Sequence, residues 1–249
     1  MQESLYIHYD TISHQILVRG LPLHQLLLQQ PDLIPQKVVL LQKTANIGRI
    51  DPYTKFSILD TEQATMDFFT KISTHQMEPI SWIDYQSKEL LQQLTPQEIA
   101  ELLYLNHTWQ PLRSPFFYKL QNNWTLLVLA PDCYKIFQRD LTAFYRLFCR
   151  FIEDYVSQAF KPRLPWQEQP TIHSMSEDNL NTLKDLFREG VWIGLNEGEK
   201  TKTTYRIPLR ISEGDAEDPL ERQLFEQKTK MYLTYDFNTS DWTMEEVST

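Results

Sequence analysis

"KLQNNWTLLVLAPDCYKIFQRDL", Lys119 to Leu141, is the stretch from which the architecture can be read. Its centre, "WTLLVLA" (Trp124 to Ala130), is an apolar run too short to cross a bilayer and of ordinary strand length. Asn122-Asn123 in front supplies a turn, because Asn tolerates positive φ, and Pro131-Asp132 behind supplies another. "FFYKLQ" (from Phe116), "WTLLVLA" and "CYKIFQ" (from Cys133) are therefore expected to form an antiparallel meander. The middle strand is apolar on both faces and so belongs in the centre of the sheet. Asp140 then caps a long helix, "LTAFYRLFCRFIEDYVSQAF", with Leu141, Phe144, Phe148, Phe151, Ile152 and Tyr155 on one broad face.

Cys133 opens the third of these strands, and its role decides whether the stretch carries chemistry. A nucleophilic thiol needs a depressed pKa and a partner base, and the charge of the preceding Asp132 disfavours thiolate. None of His8, His14, His24, His75, His107 and His173 stands in a recognisable motif with it. Cys133 reads as a packed strand residue, and Cys149 as an inert residue of an apolar helix face.

Towards the N-terminus, strands are expected at Leu5 to Tyr9, Gln15 to Arg19, "KVVLLQ" and "TKFSILD", with a short helix around "PLHQLLLQQ". Thr61 caps an amphipathic helix through "EQATMDFFTKIS", with Met66, Phe69 and Ile72 facing inward. "LTPQEIAELLYL" is the clearest helix start: Thr95 is the N-cap, Pro96 sits at the first helical position, and Glu98 can reach back to the Thr95 amide. Its apolar stripe is Ile99, Leu102, Leu103 and Tyr104.

Towards the C-terminus, "NLNTLKDLFRE" is a helix stopped by Gly190. "VWIGL", "TYRIPLRI" and "KMYLTYDF" then alternate with period two and predict an antiparallel sheet with one face buried. Pro208 cannot donate to a ladder, so the strand carrying it is expected at an edge. The fold class is thus α+β: antiparallel meanders packed against amphipathic helices, with a smaller C-terminal antiparallel sheet plus helix. The expected organisation is an N-terminal α+β unit over 1–160, a Pro-rich linker or strap over 161–177, a C-terminal α+β unit over 178–237, and a frayed tail over 238–249.

Composition narrows the function classes. The 249 residues are 41% hydrophobic with Trp 6, Tyr 12 and Phe 13, too apolar for disorder. Net charge is −9, and the densest basic segment is "KTKTTYR", so nucleic acid is not expected as the main partner. The six glycines form neither a Walker loop nor GxGxxG, which excludes the common phosphate-cradling loops. Neither CxxC, HExxH nor an i, i+4 His pair occurs, and "EGDAEDPLE" lacks the calcium-loop pattern. His8 and Asp10 share a strand face and form the one two-residue metal-ligand pairing worth naming. No cofactor, metal or catalytic residue is therefore assigned, no membrane span is expected, and the cytoplasm is the expected location.

One surface feature is left. The face of the C-terminal sheet opposite its core carries Trp192, Arg206, Arg210, Tyr232 and Asp236, residue types suited to binding hot spots. This face, or the sheet's edge by strand addition, is the expected contact for a protein partner. The first functional expectation is a non-catalytic interaction or regulatory protein. The alternative is a hydrolase or transferase whose site is assembled from dispersed residues. A deep pocket with ionisable groups of perturbed pKa is the feature that separates the two.

Overall fold

The computed structural model of the chain describes residues 4–23, 34–42, 47–105, 116–160, 171–212 and 227–247. Within these, the chain runs β1 (Leu5–Asp10), β2 (Gln15–Arg19), β3 (Val38–Leu40), β4 (Arg49–Ile50), β5 (Ser57–Leu59), α1 (Glu62–Ser73) and β6 (Trp82–Asp84). It continues through α2 (Lys88–Leu91), α3 (Pro96–Leu105), β7 (Trp124–Ala130), β8 (Cys133–Gln138), α4 (Leu141–Ala159) and α5 (Glu177–Glu189). The last elements are β9 (Val191–Ile193), β10 (Glu199–Lys200), β11 (Thr204–Ser212), β12 (Gln227–Asp236) and β13 (Asp241–Glu246). This is an α+β fold with antiparallel sheet packed against helices. Among the described residues no helix is long and apolar enough to cross a membrane.

Two compact units make up the chain. One is contiguous, Tyr9–Ala143; the other is split, joining Met1–His8 to Phe144–Thr249. The Pro-rich stretch 161–177 belongs to the chain of the split unit, and its residues 161–170 lie outside the described residues, as does the helix expected around "PLHQLLLQQ" from His24 onward.

In the contiguous unit the strand order is β2-β8-β7-β6-β3-β5-β4. The apolar run of β7 lies between β8 and β6, as its two-sided hydrophobicity requires. One face of this sheet buries Val39, Ile58, Ile83 and Leu127 with Leu91, Leu94, Leu102 and Leu105 from the α2–α3 region. The other face carries Trp82 and Trp124, edge-to-face at 5.2 Å, and Phe69 of α1 packs on Trp82 at the same distance. Thr61 caps α1 through the amide of Ala64. The Thr95–Glu98 capping box forms in both directions, Thr95 N–H to Glu98 Oε2 at 2.7 Å and Glu98 N–H to Thr95 Oγ1 at 3.2 Å.

Several expectations are corrected here. "FFYKLQ" is no strand: it folds as a turn, with Tyr118 84% exposed and Gln121, not an Asn, at positive φ. The cause is local, since Asn122 Oδ1 accepts the Phe117 amide at 2.7 Å and closes the segment on itself. The inward face of α1 is Thr65, Phe68, Phe69 and Ile72, while Met66 is 38% exposed. On α3, Leu102 and Leu105 are buried, whereas Leu103 and Tyr104 are exposed. In both helices the buried residues occupy one arc of a wheel that turns about 100° per residue, and Met66, Leu103 and Tyr104 lie beyond the edge of that arc.

In the split unit the order is β13-β12-β11-β9-β1, with β10 also on β11. Leu5, Ile7, Val191, Ile193, Ile207, Leu209, Leu233 and Tyr235 are buried in its core with Phe148, Ile152 and Phe187 of α4 and α5. Asp140 caps α4 by accepting the Thr142 amide, and Gly190 ends α5 at φ +83°. Two further corrections arise. The Pro208 strand is internal, paired with β12 on one side and with β9 and β10 on the other. A strand residue's N–H and C=O point the same way, and Pro208 O accepts from Gly194 N–H, so its missing donor faces the gap where β9 ends. The segment expected to fray forms β13 instead: Trp242 is buried, packs tilted against Tyr235 at 4.9 Å and donates Nε1–H to His173 O at 2.7 Å.

Candidate functional site

The contiguous unit contains a cavity of about 510 Å³, within the range of roughly 300–1,000 Å³ typical of ligand pockets. It opens where the start of β3, the end of β6, the start of β7 and the end of β8 meet the first turn of α4. The residues that give it chemistry are Lys37, Asp84, Trp124, Gln138 and Arg139.

Register explains why these residues meet. Val38 pairs with Asp84 across β3 and β6, and Trp124 pairs with Gln138 across β7 and β8. The Ile83–Thr125 pair sets Asp84 beside Trp124, so Asp84, Trp124 and Gln138 form one row on one face of the sheet. Lys37 and Arg139 each lie one residue beyond that row, at the sheet's rim.

Asp84 is 5% exposed. Its Oδ1 accepts two backbone amides, Asn123 N–H at 2.8 Å and Trp124 N–H at 2.7 Å, which ties the end of β6 to the start of β7. Burial nevertheless dominates and pushes its pKa up to about 6, while the two amides and the charge of Arg139 pull the other way. The side chains next to it in the row are also short of partners. Among the described residues Trp124 Nε1 and Gln138 Oε1 are buried without a hydrogen bond, although donor and acceptor sit opposite each other in register. Buried, unpaired polar groups cost about 1–3 kcal/mol each, so this row has been kept against stability.

The two cations at the rim are differently placed. Lys37 Nζ donates to Gln86 O at 3.1 Å. Arg139 lies 4.4 Å over the Phe116 ring and donates weakly to Asn123 Oδ1 at 3.4 Å. Neither makes an ion pair among the described residues. Asp140, also in the wall, is engaged in capping α4.

No residue of this row was singled out from the sequence. β6 is three residues long, too short to show a period, and "SWIDY" contains one charge in an apolar setting. That charge was the available signal, because a carboxylate inside an apolar run is either at a surface or buried for a reason.

The residues that sequence did single out lie in the split unit. Trp192 and Arg210 are register partners, and Arg206 and Tyr232 meet directly, the guanidinium 4.0 Å over the ring. Asp236 stands at the end of β12, accepting the Asn238 amide at 2.7 Å. Trp192 is buried and packs tilted against Tyr6 at 4.6 Å. Arg210 is held by Glu197, and Arg206 lies 3.5 Å from Glu245 and 3.9 Å from Glu199. Both arginines are thus neutralised by the unit's own carboxylates.

Elsewhere, Cys133 is a buried first residue of β8, and burial pushes the Cys149 thiol up to about 12. Asp10 serves the β1–β2 turn, accepting Ile12 N–H and Ser13 Oγ–H. Among the described residues no three His, Cys, Asp or Glu side chains gather closely enough to hold a metal. Compared with known protein families, curated proteins and solved structures, the chain matches none of them.

Proposed function

We propose that the chain is a cytoplasmic, non-catalytic interaction or regulatory protein whose contiguous unit binds a small polar ligand in the Asp84 cavity. One observation carries the binding part of this reading: a buried carboxyl with pKa about 6 in the wall of a ligand-sized cavity, of the kind that clusters at functional sites. Such a pocket is what the enzyme alternative required, and the non-catalytic part rests on its lining, which among the described residues holds no Ser, Thr, Cys or His to serve as nucleophile or partner base. Two free, buried cysteines suit a reducing compartment. The reading includes a protein contact at the exposed sides of Arg206 and Tyr232, beside an edge strand, β13, bearing Glu245 and Glu246.

The test is native mass spectrometry of the intact protein purified gently from its host. A small molecule should travel with the wild type and be lost from Ala143→Trp, which fills the cavity. An empty wild-type protein that no compound of a host metabolite extract stabilises would refute ligand binding. For the protein contact, Arg206→Ala with Tyr232→Ala should abolish association with a host partner while leaving Tm nearly unchanged.

A hydrolase or transferase is the second reading, favoured specifically by Asp84, since a carboxyl near pKa 6 suits a general base at neutral pH. Chromogenic ester, phosphomonoester and glycoside substrates would test it. Any turnover should fall about 10²–10⁴-fold in Asp84→Asn, and turnover unaffected by that change would assign it elsewhere.

A further inference from the structure

We infer that the ligand of this cavity is a zwitterion, an amino acid or short peptide whose ammonium group meets Asp84 and whose carboxylate meets Lys37 and Arg139. The inference rests on the ligand-binding reading above and adds the chemical class.

The polar groups of the cavity are ordered in space. Buried acceptors occupy the row: the Asp84 carboxyl and the unpartnered Gln138 Oε1. Cations occupy the rim at either end of that row, Lys37 before β3 and Arg139 after β8. From β3 to β8 the row crosses three interstrand spacings, about 14 Å of backbone, which two long side chains can bridge to reach one ligand. A complementary molecule therefore has N–H donors at its buried part and negative charge towards the rim.

Charge selects among such molecules. An ionised Asp84 is held inside the protein by two amides, both on Oδ1, and among the described residues no cation is bonded to it. A neutral donor, such as a nucleobase amine, leaves that buried charge uncompensated. An ammonium neutralises it, and buried charges are stable when paired and hydrogen-bonded. The ligand's N–H groups also supply Gln138 Oε1 with a donor after a small rotation of its amide. At the rim, Arg139 is already oriented by the Phe116 ring with its guanidinium edge largely unengaged. Such an edge accepts a carboxylate in bidentate geometry, while Lys37 acts as a point charge. At the first turn of α4, Asp140 Oδ1 takes the Thr142 amide and Asp140 O that of Ala143, so the ligand's carboxylate is assigned to the two side chains.

The experiment is a thermal-shift titration of the full chain with the common free amino acids and a set of di- and tripeptides. Each is paired with its N-acetyl form, lacking the ammonium, and its C-amide, lacking the carboxylate. At ten times Kd, at least one zwitterion should raise Tm by about 3 °C, and both blocked forms should lose at least tenfold in affinity. Free amino acid and peptide arms distinguish the two sources. Asp84→Asn should weaken the amine-bearing ligand at least tenfold without affecting the folded circular-dichroism spectrum. Lys37→Gln, at the rim, should weaken the zwitterion and leave binding of its C-amide unchanged. Nucleoside monophosphates and neutral sugars run alongside. If one of those binds in an Asp84-dependent way and no zwitterion does, the class is wrong and the site stands. If an N-acetylated compound binds as well as its parent, the class is also wrong. If nothing in any arm binds, the class and the site fall together.

Discussion

Asp84 is ionised at neutral pH only at a cost in folding free energy, and the direction of that cost is measurable. Its folded pKa of about 6 lies above the ordinary 3.8, so the folded state holds the proton more tightly. The contribution to stability is complete below about pH 4 and is lost as pH rises through 6, a change of about 3 kcal/mol. Urea unfolding of wild type and Asp84→Asn across pH 4.5–7.5 should show this as a difference. The variant keeps an oxygen for the Asn123 and Trp124 amides, and should gain on the wild type by about 2 kcal/mol on going from pH 4.5 to 7.5. Parallel stability curves would place the titration elsewhere. A residue that weakens its own fold at working pH fits a site retained for binding. Sequence alone did not reveal it, because its burial comes from β7, some forty residues along the chain, whose first amides it accepts.

At the scale of elements, local chemistry was the reliable guide. Thr95, Pro96 and Glu98 hold all the information for the start of α3, and the box forms as read. Thr95→Ala should therefore lower stability by about 1 kcal/mol in chemical denaturation; a change within error would mean that the Lys119–Glu98 contact anchors the turn instead. Gly190 and the Pro131-Asp132 turn were legible for the same reason. Elements whose existence depends on distant partners were not. β6 and β13 are short or irregular in pattern, yet each adds to a sheet already present. Trp242 shows what that addition contributes: with its ring on Tyr235 and its N–H on His173 O, Trp242→Ala should cost about 3–5 kcal/mol. A truly frayed end would lose nothing, and a melting curve separates the two. "FFYKLQ" failed in the opposite sense, since its aromatic residues favour a strand but Asn122 supplies a local competitor.

For the whole molecule, the division into units makes its own prediction. Tyr9–Ala143 is continuous in sequence and has its own two-faced core. A fragment of those residues should fold cooperatively and keep the cavity, seen as a sigmoidal thermal transition and dispersed amide resonances. The split unit needs Leu5–Ile7, which pair with β9 in its sheet, so removing residues 1–8 should destabilise it while sparing the contiguous unit. If the isolated fragment instead behaves as a collapsed, non-cooperative chain, the two units are not energetically separable.

By itself, the sequence determined the α+β class, the antiparallel pairing implied by alternation and the caps of the helices. These follow from interactions between residues a few positions apart. Only the tertiary structure decided that Asp84, Trp124 and Gln138 stand in one row, that Lys37 and Arg139 flank it, and that the Pro208 strand is internal. Those outcomes depend on the register between strands far apart in the chain: local alternation fixes which face of a strand is buried, but which distant strand it meets, and at which residue, is decided only when the faces find a shared core.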